Sequence, residues 1–247
     1  VIWDACEGTQ HIQPIQGTLY RLVESQEQIA TQSLVDTLDE QAVLEQLLEA
    51  TKPAYPHTNH ELHYLLKTPF RYPPLQWGSR FGRVYEPSLF YGGCSITSTL
   101  SESAYYRFVF IHTIQGKPPE SPLRTSHTLF SVKYSTVHGV KLHQDPFDQH
   151  SSLLTHPSDY RATQQLGSDM REARVKAFEY LSARSSDAAH CVALYDPSPF
   201  VSNQPDMQES WLCETRPDYV LLKAVGTIPL RFSFNDFAIN DQLPLPA

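Results

Sequence analysis

The sequence predicts an α+β fold: a single domain with a mixed, mostly antiparallel sheet and flanking helices. Three observations carry this. Helix-period and strand-period segments are mixed along the chain without regular alternation. Two stretches, near 37–52 and 99–112, repeat apolar residues at helical spacing. Residues 127–135 alternate apolar and polar, and shorter runs at 18–23, 177–181, 190–195, 219–225 and 231–234 have strand character. A chain of 247 residues can bury a sizeable core. Residues 1–65 read as a helical extension packed on a core of residues 66–247, and no linker marks the boundary.

The elements follow in order. Thr18–Val23 is a short strand. Thr37 and Glu40 form a capping box, and Leu38, Val43, Leu44, Leu47 and Leu48 give the helix behind it an apolar face, ended at Lys52-Pro53. Residues 53–79 form an ordered loop, because Pro69, Pro73 and Pro74 forbid a long element. Two short extended segments between Gly78 and Gly93 meet at a turn near Glu86-Pro87. Thr99 opens a second helix to about His112, with Leu100, Ala104, Phe108 and Ile111 on one face. Residues 115–126 read as a polar loop. Thr128, Phe130, Val132 and Tyr134 form a strand, and Val140 and Leu142 hint at its partner. Ser158 caps a helix running to about Arg174. Ser185-Ser-Asp187 is the turn between two strands at 177–181 and 190–195. The tail after Pro205 carries no recognisable motif.

Composition excludes several classes. Hydrophobic residues make up 40% and charged residues 19%, a globular balance. The net charge of −8 argues against binding a nucleic-acid backbone, but one or two placed arginines suffice for a small anion. No apolar run is long enough to span a bilayer. Val1-Ile-Trp-Asp-Ala does not read as a signal peptide. The four cysteines, Cys6, Cys94, Cys191 and Cys213, are widely spaced, as expected for reduced thiols in a cytoplasm.

The densest chemical signal is Gly78-Ser-Arg-Phe-Gly82, Leu89-Phe-Tyr-Gly-Gly93 and Thr99-Leu-Ser-Glu102. It spaces Arg80, Tyr91 and Glu102 at equal intervals of eleven residues. Arg80 can grip a diphosphate through paired hydrogen bonds, with glycines that admit close backbone approach; the alternative is an ion-paired surface arginine. Tyr91 can stack a flat heterocycle or be a core aromatic. Glu102 can stabilise positive charge at an anomeric carbon, yet Thr99 and Glu102 also spell a capping box. Ser182, with Arg184 nearby, can bond a ribose or phosphate oxygen, or be a turn serine. Arg21 is a further phosphate ligand or an ion-paired strand residue. Arg71, between prolines, reads as structural.

His57, His60 and His63 are spaced as H-x-x-H-x-x-H, which would spread the rings around a helix, and no zinc pattern is completed. A metal-dependent hydrolase built on them is one alternative; a non-catalytic nucleotide- or partner-binding module is another. Cys94 is a buried thiol or, less simply, a nucleophile. No Rossmann or P-loop glycine motif occurs.

Tyr20-Arg21, Gly78-Ser-Arg-Phe-Gly82, Phe90-Tyr-Gly92, Thr99-Leu-Ser-Glu102, Tyr180-Leu-Ser-Ala-Arg184 and Cys191-Val-Ala-Leu-Tyr195 together resemble the RES domain family. The likeness runs from about residue 18 to 201, and Thr68-Pro-Phe-Arg-Tyr-Pro-Pro-Leu75 is similar to its larger members. The resemblance implies an ADP-ribosyltransferase-like fold, with residues 66–247 as the catalytic part. It implies a bacterial cytoplasmic toxin that consumes NAD+ by phosphorolysis or hydrolysis, or transfers ADP-ribose to protein. NAD+ is then a substrate, inorganic phosphate a co-substrate, and no cofactor or metal is needed. A small Xre-like antitoxin is the implied partner, and a homo-oligomer stays open. Arg80, Glu102 and Ser182 would be catalytic, with Tyr91, Arg21 and Arg184 binding substrate. The long N-terminal portion departs from the family pattern.

Overall fold

The computed structural model describes residues 1–25, 34–55, 61–115, 121–185 and 189–246. In chain order its elements are α1 (Ile2–Ala5), β1 (Gln13–Glu24), α2 (Leu38–Thr51), α3 (Tyr64–Lys67), β2 (Phe90–Gly93), α4 (Ile96–Thr113), β3 (Leu123–Lys141), α5 (Ser151–Leu154), α6 (Arg161–Glu172), β4 (Ala177–Leu181), β5 (His190–Leu194), β6 (Met207–Thr215), β7 (Tyr219–Ala224) and β8 (Leu230–Ser233). The class is α+β, as the mixed periodicity requires. Eight strands form one sheet in the order β1-β2-β5-β4-β3-β6-β7-β8. The β3–β4 pair is parallel and the other pairs are antiparallel.

β1 also pairs with β3, so β1, β2, β5, β4 and β3 close on themselves, and β6, β7 and β8 extend outward from β3. β3 makes this possible by its length. The alternation at 128–134 does not stop before Val140 but continues as one 19-residue strand. The expected break fails because Gly139 is not a turn residue. It pairs with Gln13 of β1, and a Cβ there would stand 2.3 Å from the Ile15 side chain. β1 is likewise longer than its apolar run, because its ladder to β3 runs from Gln13 to Glu24. The first 65 residues therefore contribute a strand to the sheet as well as helices, and the sheet shows no break at residue 65.

The two faces of β1 serve two cores. Ile15 and Leu19 pack with Phe90, Phe130 and Val132 inside the closed strands. Tyr20 and Leu22 face α4, β6 and β7. The apolar face read for the second helix holds: Leu100, Ala104, Phe108 and Ile111 are buried there.

Two helix starts differ from expectation, and a third helix keeps its start but not its expected burial. α4 begins one turn early, at Ile96. Ser95 is extended, its Oγ accepts from Ser98 N at 3.1 Å, and Ser98 Oγ accepts from Ser95 N at 3.2 Å, which completes a capping box. Thr99 lies inside the helix, its hydroxyl donating to the Ser95 and Tyr20 carbonyls. α6 starts at Arg161 rather than Ser158, because His156 Nδ1 takes the Ser158 and Asp159 amides into a loop. α2 keeps its Thr37 cap, which accepts from Glu40 N at 3.2 Å. Its apolar stripe faces outward, however: Leu38, Val43, Leu47 and Leu48 are exposed and Gln41 is buried. The tail after Pro205 supplies β6, which pairs nine residues with the first half of β3.

His57 and His60 lie outside the described residues. His63 caps α3 through Nδ1, accepting from Leu65 N at 3.3 Å. Among the described residues no group of His, Cys, Asp or Glu is placed to hold a metal ion. All four cysteines are free thiols. No described helix is long and apolar enough to cross a membrane.

One contact fixes the turn that carries Arg80. Gly167 of α6 lies against the neighbouring Phe81, and a Cβ at Gly167 would fall 1.8 Å from the Phe81 carbonyl oxygen. Glycine to alanine inside a helix ordinarily gains about 1 kcal/mol. Here the expected sign is reversed, with Gly167→Ala losing about 1–3 kcal/mol through overpacking against backbone. Urea unfolding checks this; an unchanged or raised midpoint would mean that α6 does not clamp the turn.

Candidate active site

Two tight turns present Arg80. Gly78 has φ +75° and a Cβ there would meet the Gly82 carbonyl at 2.4 Å, so this position requires glycine. Ser79 and Gly82 bridge across the second turn. Phe81, fully buried, anchors it between Phe178 and Tyr180 at ring distances of 4.8 and 5.0 Å. The adjacent Arg80 is 8% exposed. Its Nη1 donates to the Leu154 and His156 carbonyls at 3.3 and 2.9 Å, and its guanidinium lies 4.6 Å over the Tyr160 ring.

Tyr91 stands on β2. Its hydroxyl accepts from Phe81 N at 3.1 Å and shares a hydrogen bond with Ser79 Oγ at 2.8 Å, so it ties β2 to the Arg80 turn. Burial pushes the phenol up to about 12, against the lowering effect of those bonds. The hydroxyl is therefore a fixed strut, and the ring is what remains for a ligand. Arg21, opposite on β1, donates from Nη1 to the Tyr91 carbonyl at 2.7 Å and sits 4.9 Å over the Phe90 ring. Its Nε is buried without a partner, and burial lowers its pKa to about 10.

Glu102 lies in the second turn of α4. The helix start belongs to Ser95 and Ser98, so the capping role that competed for this carboxylate falls away. Its Oε1 accepts from Ser182 Oγ at 2.5 Å. The Ser182 hydroxyl in turn accepts from Arg184 N at 3.0 Å, which fixes the direction of its proton toward the carboxylate. Arg184, 7% exposed, lies 3.5 Å over the Tyr105 ring and donates from Nη2 to the Pro157 carbonyl at 2.5 Å and the Tyr160 hydroxyl at 3.2 Å.

Arg21, Arg80, Tyr91 and Glu102 line one cavity of about 690 Å³, a size suited to a small-molecule ligand. Ser182 and Arg184 stand behind its wall and reach it through Glu102 and Tyr160. Among the described residues, none of Arg21, Arg80 and Arg184 forms a salt bridge. Each is held over an aromatic ring instead, an arrangement worth roughly 2 kcal/mol or more when desolvated. The site is thus cationic inside an acidic chain. Burial, then Glu179, pushes the Cys94 thiol up to about 11, which favours the thiol over the thiolate that a nucleophile needs. Arg71 is structural, its Nη1 on Glu49 at 2.6 Å and its guanidinium over Tyr55.

Sequence reasoning missed part of this cavity. Tyr160 and Tyr180 line it, and nothing in their flanking residues marks them among 13 tyrosines. The cavity also reaches a second polar group at its outer end, around Arg107, Glu24 and His127.

His127 gives a pH prediction. It is buried, and its Nε2 faces Arg107 Nη2 at 2.6 Å, so it is the acceptor. Burial first, then the Arg107 charge, lowers its pKa from 6.5 to about 4. The unfolded chain takes up this proton below about 6.5 while the folded chain does not. This contribution to stability is therefore full at neutral pH and falls as pH drops from 6.5 toward 4, by on the order of 2–3 kcal/mol. Urea unfolding at pH 7 and pH 4.5 should show a steeper loss for the wild type than for His127→Gln; equal slopes would contradict the assignment.

Comparison with curated proteins finds no match. The RES domain family matches residues 53–214. That span holds Arg80, Tyr91, Glu102, Ser182 and Arg184; Arg21 lies before it and joins the same cavity through β1. With about two thirds of its length matched, and with those side chains gathered around one cavity, the chain belongs to the RES domain family.

Proposed function

We propose that this protein cleaves the bond between nicotinamide and ribose in NAD+. The observation that carries the reading is one cavity lined by buried guanidinium groups without carboxylate partners and by a single serine-oriented carboxylate, Glu102. A buried cation lacking a counter-ion favours an anionic ligand, since its desolvation is otherwise uncompensated. The diphosphate of NAD+ would supply that charge to Arg21 and Arg80. The ring of Tyr91 offers a face to nicotinamide.

In the reaction the C–N electron pair leaves with nicotinamide, which becomes neutral, and the positive charge passes to the ribosyl C1 and its ring oxygen. Glu102 would stabilise that developing charge. Ser182 holds Oε1 in place and so acts as a positioning residue. Phosphate as acceptor gives ADP-ribose 1-phosphate with no further proton transfer. Water as acceptor gives ADP-ribose and releases one proton, which Glu102 can receive. A protein side chain in place of either would make the enzyme an ADP-ribosyltransferase. Family resemblance further supports a toxin of a bacterial toxin–antitoxin pair with an Xre-like antitoxin as its partner.

The test is nicotinamide release from NAD+ by purified protein, with and without phosphate. Phosphate dependence identifies phosphorolysis. Glu102→Gln keeps the shape and removes the charge, and is expected to lower turnover about 10²–10³-fold with an unchanged circular dichroism spectrum. Ser182→Ala is expected to cost roughly tenfold to a hundredfold, the worth of one hydrogen bond to a charged group. Undiminished turnover in Glu102→Gln overturns the reading.

A further inference from the structure

Two exposed surfaces away from the cavity carry opposite charge. The first is the outer face of the strands that extend beyond β3. β6, β7 and β8 turn one face toward α4, where Trp211, Cys213, Val220 and Leu222 are buried. Strand pairing sets the other face in rows. One row runs Arg124, Glu214, Leu221, Arg231, and the next runs Ser126, Leu212, Lys223. The Arg124 side chain is 78% exposed, and Leu212, Val225 and Arg231 are exposed as well. Glu214 pairs with Arg124 at 3.1 Å and with Arg216 at 3.8 Å. Arg231 lies 4.0 Å over the Tyr219 ring. Among the described residues neither Lys223 nor Arg231 forms a salt bridge, so this face is basic within a chain of net charge −8.

The second surface is α2. Its 14 residues include Asp39, Glu40, Glu45 and Glu49 and no lysine or arginine. Glu49 is tied to Lys52 and Arg71, which holds the helix end to the body, while Val43, Leu47 and Leu48 stay exposed. A helix of this length draws most of its stability from burying an apolar stripe, so this stripe favours a cover. Each surface disfavours its own kind. α2 against α2 opposes carboxylates, and the sheet face against itself opposes guanidinium groups. α2 against the sheet face matches both charge and apolar content. The dimensions also agree: α2 is about 21 Å long, and four strands from β3 to β8 are about 14 Å across.

We propose that α2 of one copy of this chain docks across the outer face of β6, β7 and β8 of a second copy. Val43, Leu47 and Leu48 cover Leu212, Leu221 and Val225, while Asp39, Glu40 and Glu45 face Arg124, Lys223 and Arg231. The contact joins two different surfaces, so it is heterologous and repeats head to tail, closing as a ring or growing as a chain. None of these residues lines the cavity, and the proposal is independent of the cleavage reading.

Sedimentation velocity of the full chain over a range of concentrations tests this. The wild type is expected to self-associate, and less so as salt rises, because exposed charge pairs are screened. Val43→Ser with Leu47→Ser on the helix, or Arg124→Glu with Arg231→Glu on the sheet, is expected to weaken association about tenfold or more. All these positions except Val43, Leu47 and their neighbours on α2 lie on the sheet, so an unchanged circular dichroism spectrum is the check on folding for both variants. Mixed in equal amounts, the two variants are expected to pair one to one and grow no further, since each keeps the surface that the other lacks. Misfolding cannot imitate that recovery. A wild type that stays monomeric throughout, variants that associate like the wild type, or a mixture that stays monomeric would each overturn the proposal. The first of these would assign the acidic helix to a basic partner other than this chain.

Discussion

The structure depends on burying guanidinium groups without neutralising them. Arg80 lies over Tyr160, the Tyr160 hydroxyl takes a hydrogen bond from Arg184, and Arg184 lies over Tyr105. The Tyr105 hydroxyl closes the series on the Pro244 carbonyl at 2.5 Å. Carbonyl oxygens and ring faces carry partial negative charge, so they compensate part of the desolvation of a cation and leave its net charge intact. A carboxylate in the same place would compensate it more fully and cancel the field. The series also joins distant parts of the chain, the Arg80 turn, the loop before α6, α4 and the C-terminal tail, so the site's electrostatics and the fold's closure share the same contacts.

Much of the architecture was legible because hydrophobic periodicity reports burial directly. The alternation at 128–134 and the apolar face of Leu100, Ala104, Phe108 and Ile111 both face cores. What periodicity cannot report is what covers a face. The stripe Leu38, Val43, Leu47 and Leu48 has the same spacing and is exposed, because spacing specifies a helix face and not its neighbour. Element ends failed for a related reason. Ser95 and Thr99 are both good cap residues, and the choice between them was made by tertiary contact: Thr99 is held inside the helix by the Tyr20 carbonyl of β1. β6 was missed because its residues alternate weakly, with three consecutive exposed positions, Gln208, Glu209 and Ser210.

The site divides along the same line. Arg80 and Tyr91 were visible because glycines beside a polar residue are a local signal, and a backbone that needs φ +75° at Gly78 is a local fact; Glu102 was visible through its equal spacing from them and its place near a helix start. Ser182 was visible through its match to a family pattern, yet its function as a brace for Glu102 depends on a contact across 80 residues. Tyr160 and Arg107 have no local mark. Their importance lies in what the fold sets against them: a cation in one case, an imidazole and an exposed carboxylate in the other.

The charge distribution follows from these placements. The chain carries −8 overall, yet the acids lining the cavity are Glu24 and Glu102, against Arg21, Arg80 and Arg107. Over distances beyond about 10 Å salt screens the exposed charges, so a ligand inside the cavity responds to those few groups and not to the net charge. The same arrangement constrains Glu102. No arginine among the described residues bonds it, and Ser182 occupies one oxygen with a neutral donor. Had Arg80 or Arg21 closed a salt bridge to Glu102, the two signs of charge would neutralise each other and neither would face the cavity unpaired. The rings and carbonyls that hold the arginines are what keep the two signs of charge apart.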